Sequence, residues 1–208
     1  MLKGACGRPS GLDVLIQRIQ LINYKDMTLF ASAGHNPAGI KRDPGAVANG
    51  YTEAALAVQF RDLFIAKCKK LGMTIIQDLD TETLGQYLAR IKTGNGSVVI
   101  EFHFDATADP KVSGTTALVE READRLDNAY AKECVATTAR ITGIPNRGVR
   151  SEAESHRGSL GLMREEGIIC LLELGFITNL SDIKAHIAVR DLLASELAII
   201  SKKYEDII

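Results

Sequence analysis

The chain holds four histidines, His35, His103, His156 and His186, and two of them stand where a reactive centre is readily built. His35 follows Leu29-Phe30-Ala31-Ser32-Ala33-Gly34, and His103 closes Val98-Val99-Ile100-Glu101-Phe102. Short apolar runs of this kind suit buried strands. In open α/β sheets the ligand crevice lies outside the carboxyl ends of the strands, so two imidazoles delivered there are placed to converge. Catalytic zinc takes three protein ligands from histidine and carboxylate and keeps one position open. One histidine at a strand end is more simply a structural residue; two at equivalent ends lower that reading without removing it.

Two acids could complete such a centre. Glu53 stands at the start of a predicted helix, after the loop 36–51 and on the side of the sheet that carries His35. Its simpler role is a first-turn acid that suits the helix dipole, behind a Thr52 or Asn49 cap. Glu173 interrupts the apolar run Leu171-Leu172-Glu173-Leu174. A carboxylate there is costly to desolvate unless it is paired, to Arg164 for example, or placed at an opening. Burial also raises a carboxyl pKa, which suits a proton carrier near neutral pH. His156 reads as a solvated residue of the polar loop Ser151–Gly158, and Arg147, Arg150 and Arg157 of the same region could hold carboxylates. His186 reads as a surface residue of the last helix.

The elements that must position these groups alternate. Strands are expected at Met27–Ala33, Met73–Ile76, Val98–Phe104, Thr115–Val119 and Ile168–Leu174. Helices are expected at Leu56–Leu71, Thr81–Lys92, Arg121–Ile141 and Ser181–Tyr204, the third as a charged surface helix. This order gives a single α/β domain with a largely parallel central sheet flanked by helices on both faces. Residues 1–26 read as an N-terminal extension, a helix with Leu12, Leu15, Ile16, Ile19 and Ile22 on one face, ahead of a catalytic domain at 27–208.

Composition narrows the classes. The 208 residues are 46% hydrophobic and 25% charged, with a formal net charge of −1, so nothing global favours nucleic acid or an anionic membrane. No apolar run reaches the roughly 18 residues of a transmembrane segment. No signal core is evident, and synthesis in the cytoplasm is expected. Cys6, Cys68, Cys134 and Cys170 are widely spaced, which argues against a thiolate zinc site. Gly94-Asn95-Gly96 precedes a strand instead of opening a helix, which removes a phosphate cradle.

Motifs then accumulate in a recognisable order. Ser32-Ala33-Gly34-His35, Asp43-Pro44-Gly45-Ala46 and Gly50-Tyr51-Thr52-Glu53 resemble the opening motifs of the zinc-dependent N-acetylmuramoyl-L-alanine amidases. Phe102-His103-Phe104-Asp105-Ala106 resembles the second histidine motif of that family. Asn146-Arg147-Gly148-Val149, Leu162-Met163-Arg164-Glu165 and Leu172-Glu173-Leu174-Gly175-Phe176-Ile177-Thr178-Asn179 resemble its closing segment. The resemblance implies one zinc ion on His35, Glu53 and His103, and a catalytic Glu173. It implies peptidoglycan as substrate, cut at the amide between N-acetylmuramic acid and L-alanine, as in cell-separation enzymes and phage lysins. Asn36-Pro37 after the first histidine, and Asp105 where the family often has Asn, depart from its pattern. The rival readings are a zinc carboxypeptidase-like peptidase and a non-catalytic wall-binding module.

Overall fold

The computed structural model describes residues 28–155 and 157–207, so the expected N-terminal helix and His156 lie outside the described residues. Among the described residues eight strands and four α-helices follow in order: β1 Leu29–Ala33, β2 Val47–Ala48, β3 Tyr51–Thr52, α1 Glu53–Lys70, β4 Ile75–Gln77, α2 Leu84–Arg90 and β5 Val98–Asp105. Then come β6 Thr115–Val119, α3 Arg125–Thr142, β7 Asn146–Ser151, β8 Ile168–Phe176 and α4 Leu180–Glu205. Six strands form one sheet in the order β4-β1-β5-β8-β6-β7. Its neighbours are parallel except β6, which runs antiparallel to β8. The expected α/β class, single domain and largely parallel sheet are therefore observed.

The two faces of the sheet are covered unequally. Side chains alternate along a strand, so each strand presents one set to each face. Leu29, Ala31, Val98, Ile100, Phe102, Cys170 and Leu172 pack with α1, α3 and α4 in the larger core. Phe60 meets Phe102 edge to face at 4.9 Å, and Phe64 does so at 5.1 Å. Each fully buried Phe there is worth roughly 1.5–3 kcal/mol. The opposite face packs Phe30, Val99, Ile169 and Leu171 under Tyr87 and Ile91 from the region of α2, and under Leu162 and Met163 of a short 3₁₀ turn. A helix of two turns cannot cover a six-stranded sheet, and the uncovered part is a cleft.

Several expected elements differ in extent or character. Thr83 caps α2 with Gln86 in a reciprocal capping box, so the helix begins at Leu84 rather than Thr81. α3 begins at Arg125 behind the Asp124 cap and is not only a solvated face, since Tyr130, Ala131, Cys134 and Val135 are buried. Cys68, Cys134 and Cys170 are buried free thiols. Asn146–Ser151, where no strand is expected, is the edge strand β7, and it carries Arg147 and Arg150. His186 is not a surface residue: it is 1% exposed, between the rings of Phe60 and Phe104 at 5.0 Å from each. Among the described residues no helix is long and apolar enough to cross a membrane.

Candidate metal centre

Local backbone chemistry sets each candidate ligand. His35 follows β1 with φ 67°, a left-handed conformation that costs a non-glycine residue of order 1–3 kcal/mol. The loop after it is pinned by paired backbone bonds, Asn36 N to Asp43 O at 3.0 Å and Asp43 N to Asn36 O at 2.9 Å. Asn49 and Gly50 both have positive φ, as a two-residue type I′ hairpin turn requires, and they join β2 to β3. That hairpin delivers Glu53 to the first position of α1. Thr52 is indeed the cap, accepting from Ala55 N, yet Glu53 is 5% exposed and turned into the site. His103 leaves β5 on the thinly covered face. Glu173 sits beside it on β8, in direct register, before an irregularity between His103 and Asp105 where β8 gains a residue.

The groups meet. Glu53 lies between the rings, its Oε1 2.8 Å from His103 Nδ1 and its Oε2 3.1 Å from His35 Nε2. Backbone donors reach the same carboxylate, Phe104 N at 3.2 Å and Ala46 N at 3.0 Å. One donor atom from each of His35, Glu53 and His103 lies within 4.8 Å of the others. On their outer sides, His35 Nδ1 is 2.8 Å from Asp43 Oδ2 and His103 Nε2 is 3.0 Å from Glu101 Oε1. Two glycines make room. A Cβ on Gly34 would stand 2.2 Å from His103 Cε1, and one on Gly45 would stand 2.6 Å from Glu53 Oε2 and His35 Cδ2.

Charge follows the geometry. Burial alone would push the Glu53 carboxyl up, but hydrogen bonds to His103 and His35 outweigh it and hold it below the usual range. Burial opposes a charged His103, yet Glu101 and Glu53 lift its pKa well above the usual value. Glu173 is pushed up to about 8 by burial, against the opposing pull of His103 and with the further push of Asp105 and Glu53. It is half-buried, and its Oε2 is sealed from solvent with no hydrogen-bond partner. No ion pair joins it to Arg164 among the described residues. A divalent cation at the three ligands would reverse this balance and favour the ionised acid.

Two imidazoles and one carboxylate within reach of one another could hold a divalent metal ion, and the unpartnered carboxylate oxygen of Glu173 lies nearby. The residues fit zinc. They form the floor of a cleft of about 690 Å³, whose walls include Leu84, Tyr87, Leu162, Arg150 and Arg157. Arg147 lies elsewhere: its guanidinium stands over the Phe176 ring at 5.2 Å and bonds to Ser113 O. Sequence reasoning passed over Asp43 as an outer partner, the role of both glycines, and Glu101, although an acid two positions before a strand histidine must share its face.

Comparison with known proteins gives the family. The family described as N-acetylmuramoyl-L-alanine amidase matches residues 29–190. No curated protein sequence matches. The amidase AmiC2 of Nostoc punctiforme has the same fold at TM-score 0.69 and 20% identity, over 86% of this chain and 98% of that one. The catalytic domain of the amidase CwlV from Bacillus (Paenibacillus) polymyxa superposes at 0.65 and 21% identity, over 87% and 99%. The catalytic domain of the CD27L endolysin, which targets Clostridia difficile, does so at 0.66 and 14% identity, over 85% and 97%. At such identities the structures speak for the fold alone, but the family match runs unbroken from the first strand past Glu173, and on it the chain belongs to the N-acetylmuramoyl-L-alanine amidase family.

Proposed function

We propose that the chain hydrolyses the amide between N-acetylmuramic acid and the L-alanine of the peptidoglycan stem peptide, with one zinc ion on His35, Glu53 and His103 and with Glu173 as proton carrier. The family is generally zinc-dependent. The observation that carries the reading is the convergence of three donor atoms within 4.8 Å, with the unpartnered Glu173 oxygen one strand away.

The chemistry a bound zinc ion supplies is Lewis acidity, which polarises an amide carbonyl and acidifies water. His35, Glu53 and His103 hold the reacting centre at the cleft floor. Glu173 takes the proton of the attacking water and passes it to the alanine nitrogen, because an amide nitrogen leaves poorly unless protonated. Arg150 and Arg157 on the cleft wall offer planar donors to stem-peptide carboxylates. The residues that hold the metal, move the proton and orient the substrate thus come from the loop after β1, from α1, β5 and β8, and from β7 and the segment after it.

Glu173→Gln keeps the side-chain shape and removes the proton carrier. On purified peptidoglycan it should retain one zinc per chain and lose about 10²–10⁴-fold in turnover, the usual worth of general acid–base help. Wild type should release free stem peptides and leave the glycan intact. Full turnover by the variant would overturn the role of Glu173, and single amino acids as products would mark a peptidase instead.

A further inference from the structure

The zinc reading uses one nitrogen of each imidazole, and the other nitrogen of His103 is held by a residue outside the ligand set. Glu101 stands two positions before His103 on β5, so both side chains leave the same face. It is 4% exposed. Its Oε1 is 3.0 Å from His103 Nε2, and its Oε2 accepts from Ser32 Oγ at 2.8 Å. Ser32 lies directly opposite it on β1. Its neighbours on this face of β5 and β8 include the apolar Val99 and Leu171. An ionised carboxylate at such depth carries an effective penalty of several kcal/mol, and an apolar side chain would pack there without it.

We infer that Glu101 is a positioning residue for the metal: it accepts the Nε2–H of His103 and so presents the Nδ1 lone pair to the ion. The inference rests on the zinc reading above. A ligating histidine commonly donates its second N–H to a carboxylate, which fixes both tautomer and ring orientation. Glu101 is not a fourth ligand, because both its oxygens are engaged and it is absent from the three donors that lie within 4.8 Å. Ser32 in turn keeps the carboxylate from rotating. Asp43 makes the matching contact to His35, but its side chain is 54% exposed and its hold is screened by solvent. The His103 arm is the one fixed from within the sheet.

The test measures zinc affinity, by chelator competition, for wild type, Glu101→Gln, Glu101→Ala and Ser32→Ala. Each is paired with the thermal midpoint of the metal-free protein and with nitrogen NMR of the His103 ring in the zinc-loaded form. Glu101→Ala should bind zinc about 10–100-fold more weakly, with Glu101→Gln and Ser32→Ala between it and wild type. The wild-type ring should carry its proton on Nε2. A purely structural Glu101 would lower the metal-free midpoint and leave affinity within about threefold, short of the tenfold minimum for an outer partner, and that result overturns the inference. So does metallation of His103 at Nε2. If Glu101→Ala fails to fold, Ser32→Ala and Glu101→Gln decide, since both keep a side chain of native size or nearly so. Wild type that binds no zinc would sink the functional reading along with this one, whereas tight binding in all four proteins sinks this one alone.

Discussion

Gly34→Ala adds one methyl group at the point where the backbone of β1 passes the second imidazole. That methyl would stand 2.2 Å from His103 Cε1 and 2.4 Å from each ring nitrogen, where ordinary contact begins at 3.4 Å. The ring must therefore retreat by about 1.2 Å, the difference of those two distances. It cannot do so freely, because Glu53 holds one nitrogen at 2.8 Å and Glu101 the other at 3.0 Å. Stretched by that amount, either contact passes beyond hydrogen-bond range. A charged hydrogen bond lost there costs about 1.5–3 kcal/mol, offset by about 0.4–1 kcal/mol from the stiffer unfolded chain. The net loss of about 0.5–2.6 kcal/mol leaves the protein folded, while a ligand misplaced by about 1 Å exceeds the roughly 0.2 Å tolerance of a metal bond. The expected result is near-native circular dichroism, a small fall in the unfolding midpoint, and loss of stoichiometric zinc together with at least about 10²-fold of activity. Gly85→Ala is the matched control, since nothing lies within 4 Å of its added Cβ; it should raise stability by up to about 1 kcal/mol and leave zinc unchanged. Full zinc content and activity in Gly34→Ala would refute the argument that the imidazole is seated against this backbone.

Other perturbations test the frame around the site. Burial, and secondarily the charge of Arg190, lowers the pKa of His186 from 6.5 to about 3. Because the folded value is the lower one, its contribution is complete above pH 6.5 and is lost as pH falls toward 3. At 1.36 kcal/mol per unit this is about 2 kcal/mol between pH 7 and pH 5. Urea midpoints of wild type and His186→Leu at the two pH values check it, and an equal pH dependence in both proteins would exclude the mechanism. Arg61 is 1% exposed and pairs with Asp78 at 2.8 Å and Asp80 at 2.7 Å, tying α1 to the end of β4. Arg61→Met strands the buried Asp78 and should cost about 3–5 kcal/mol in denaturant unfolding; a loss below about 1 kcal/mol would contradict the pairing. Arg150→Ala should raise KM for peptidoglycan fragments and leave kcat nearly unchanged, whereas a pure kcat effect would remove it from substrate binding.

The sequence carried the strands well because β1, β8 and the first half of β5 are largely apolar, as the buried parts of a central sheet must be. β7 was illegible for the opposite reason. Asn146-Arg147-Gly148-Val149-Arg150-Ser151 has one β-branched apolar residue, and at the edge of the sheet none of its side chains is fully buried, so polar residues are tolerated there. His186 misled because imidazole sits ambiguously between core and surface, and only the rings of Phe60 and Phe104 decide. At the centre, the convergence of His35, Glu53 and His103 could be anticipated from residue types near strand and helix ends, but their partners could not. Asp43 reaches His35 only because the Asn36–Asp43 bridge folds the loop back, a pairing that no local pattern announces. Glu101 did have a signal, its period-two relation to His103, which places both side chains on one face of β5.

That period of two also explains how one strand can serve core and chemistry together. On β5, Val98, Ile100, Phe102 and Phe104 turn toward α1 and α4, whereas Val99, Glu101 and His103 turn toward the cleft side. A register slip of one residue would exchange the sets and drive Glu101 and His103 into the core beside Phe60 and Phe64. Neither would find a partner there, and an unpaired buried charge costs several kcal/mol. The polar residues that build the site therefore pin the strand against the one error that would destroy it, and the apolar residues between them do the same from the other face. The unequal cover of the sheet follows from the same division: the cleft face must stay thin over Glu101, His103 and Glu173, so the stability of the domain has to come from the three long helices on the side the substrate never reaches.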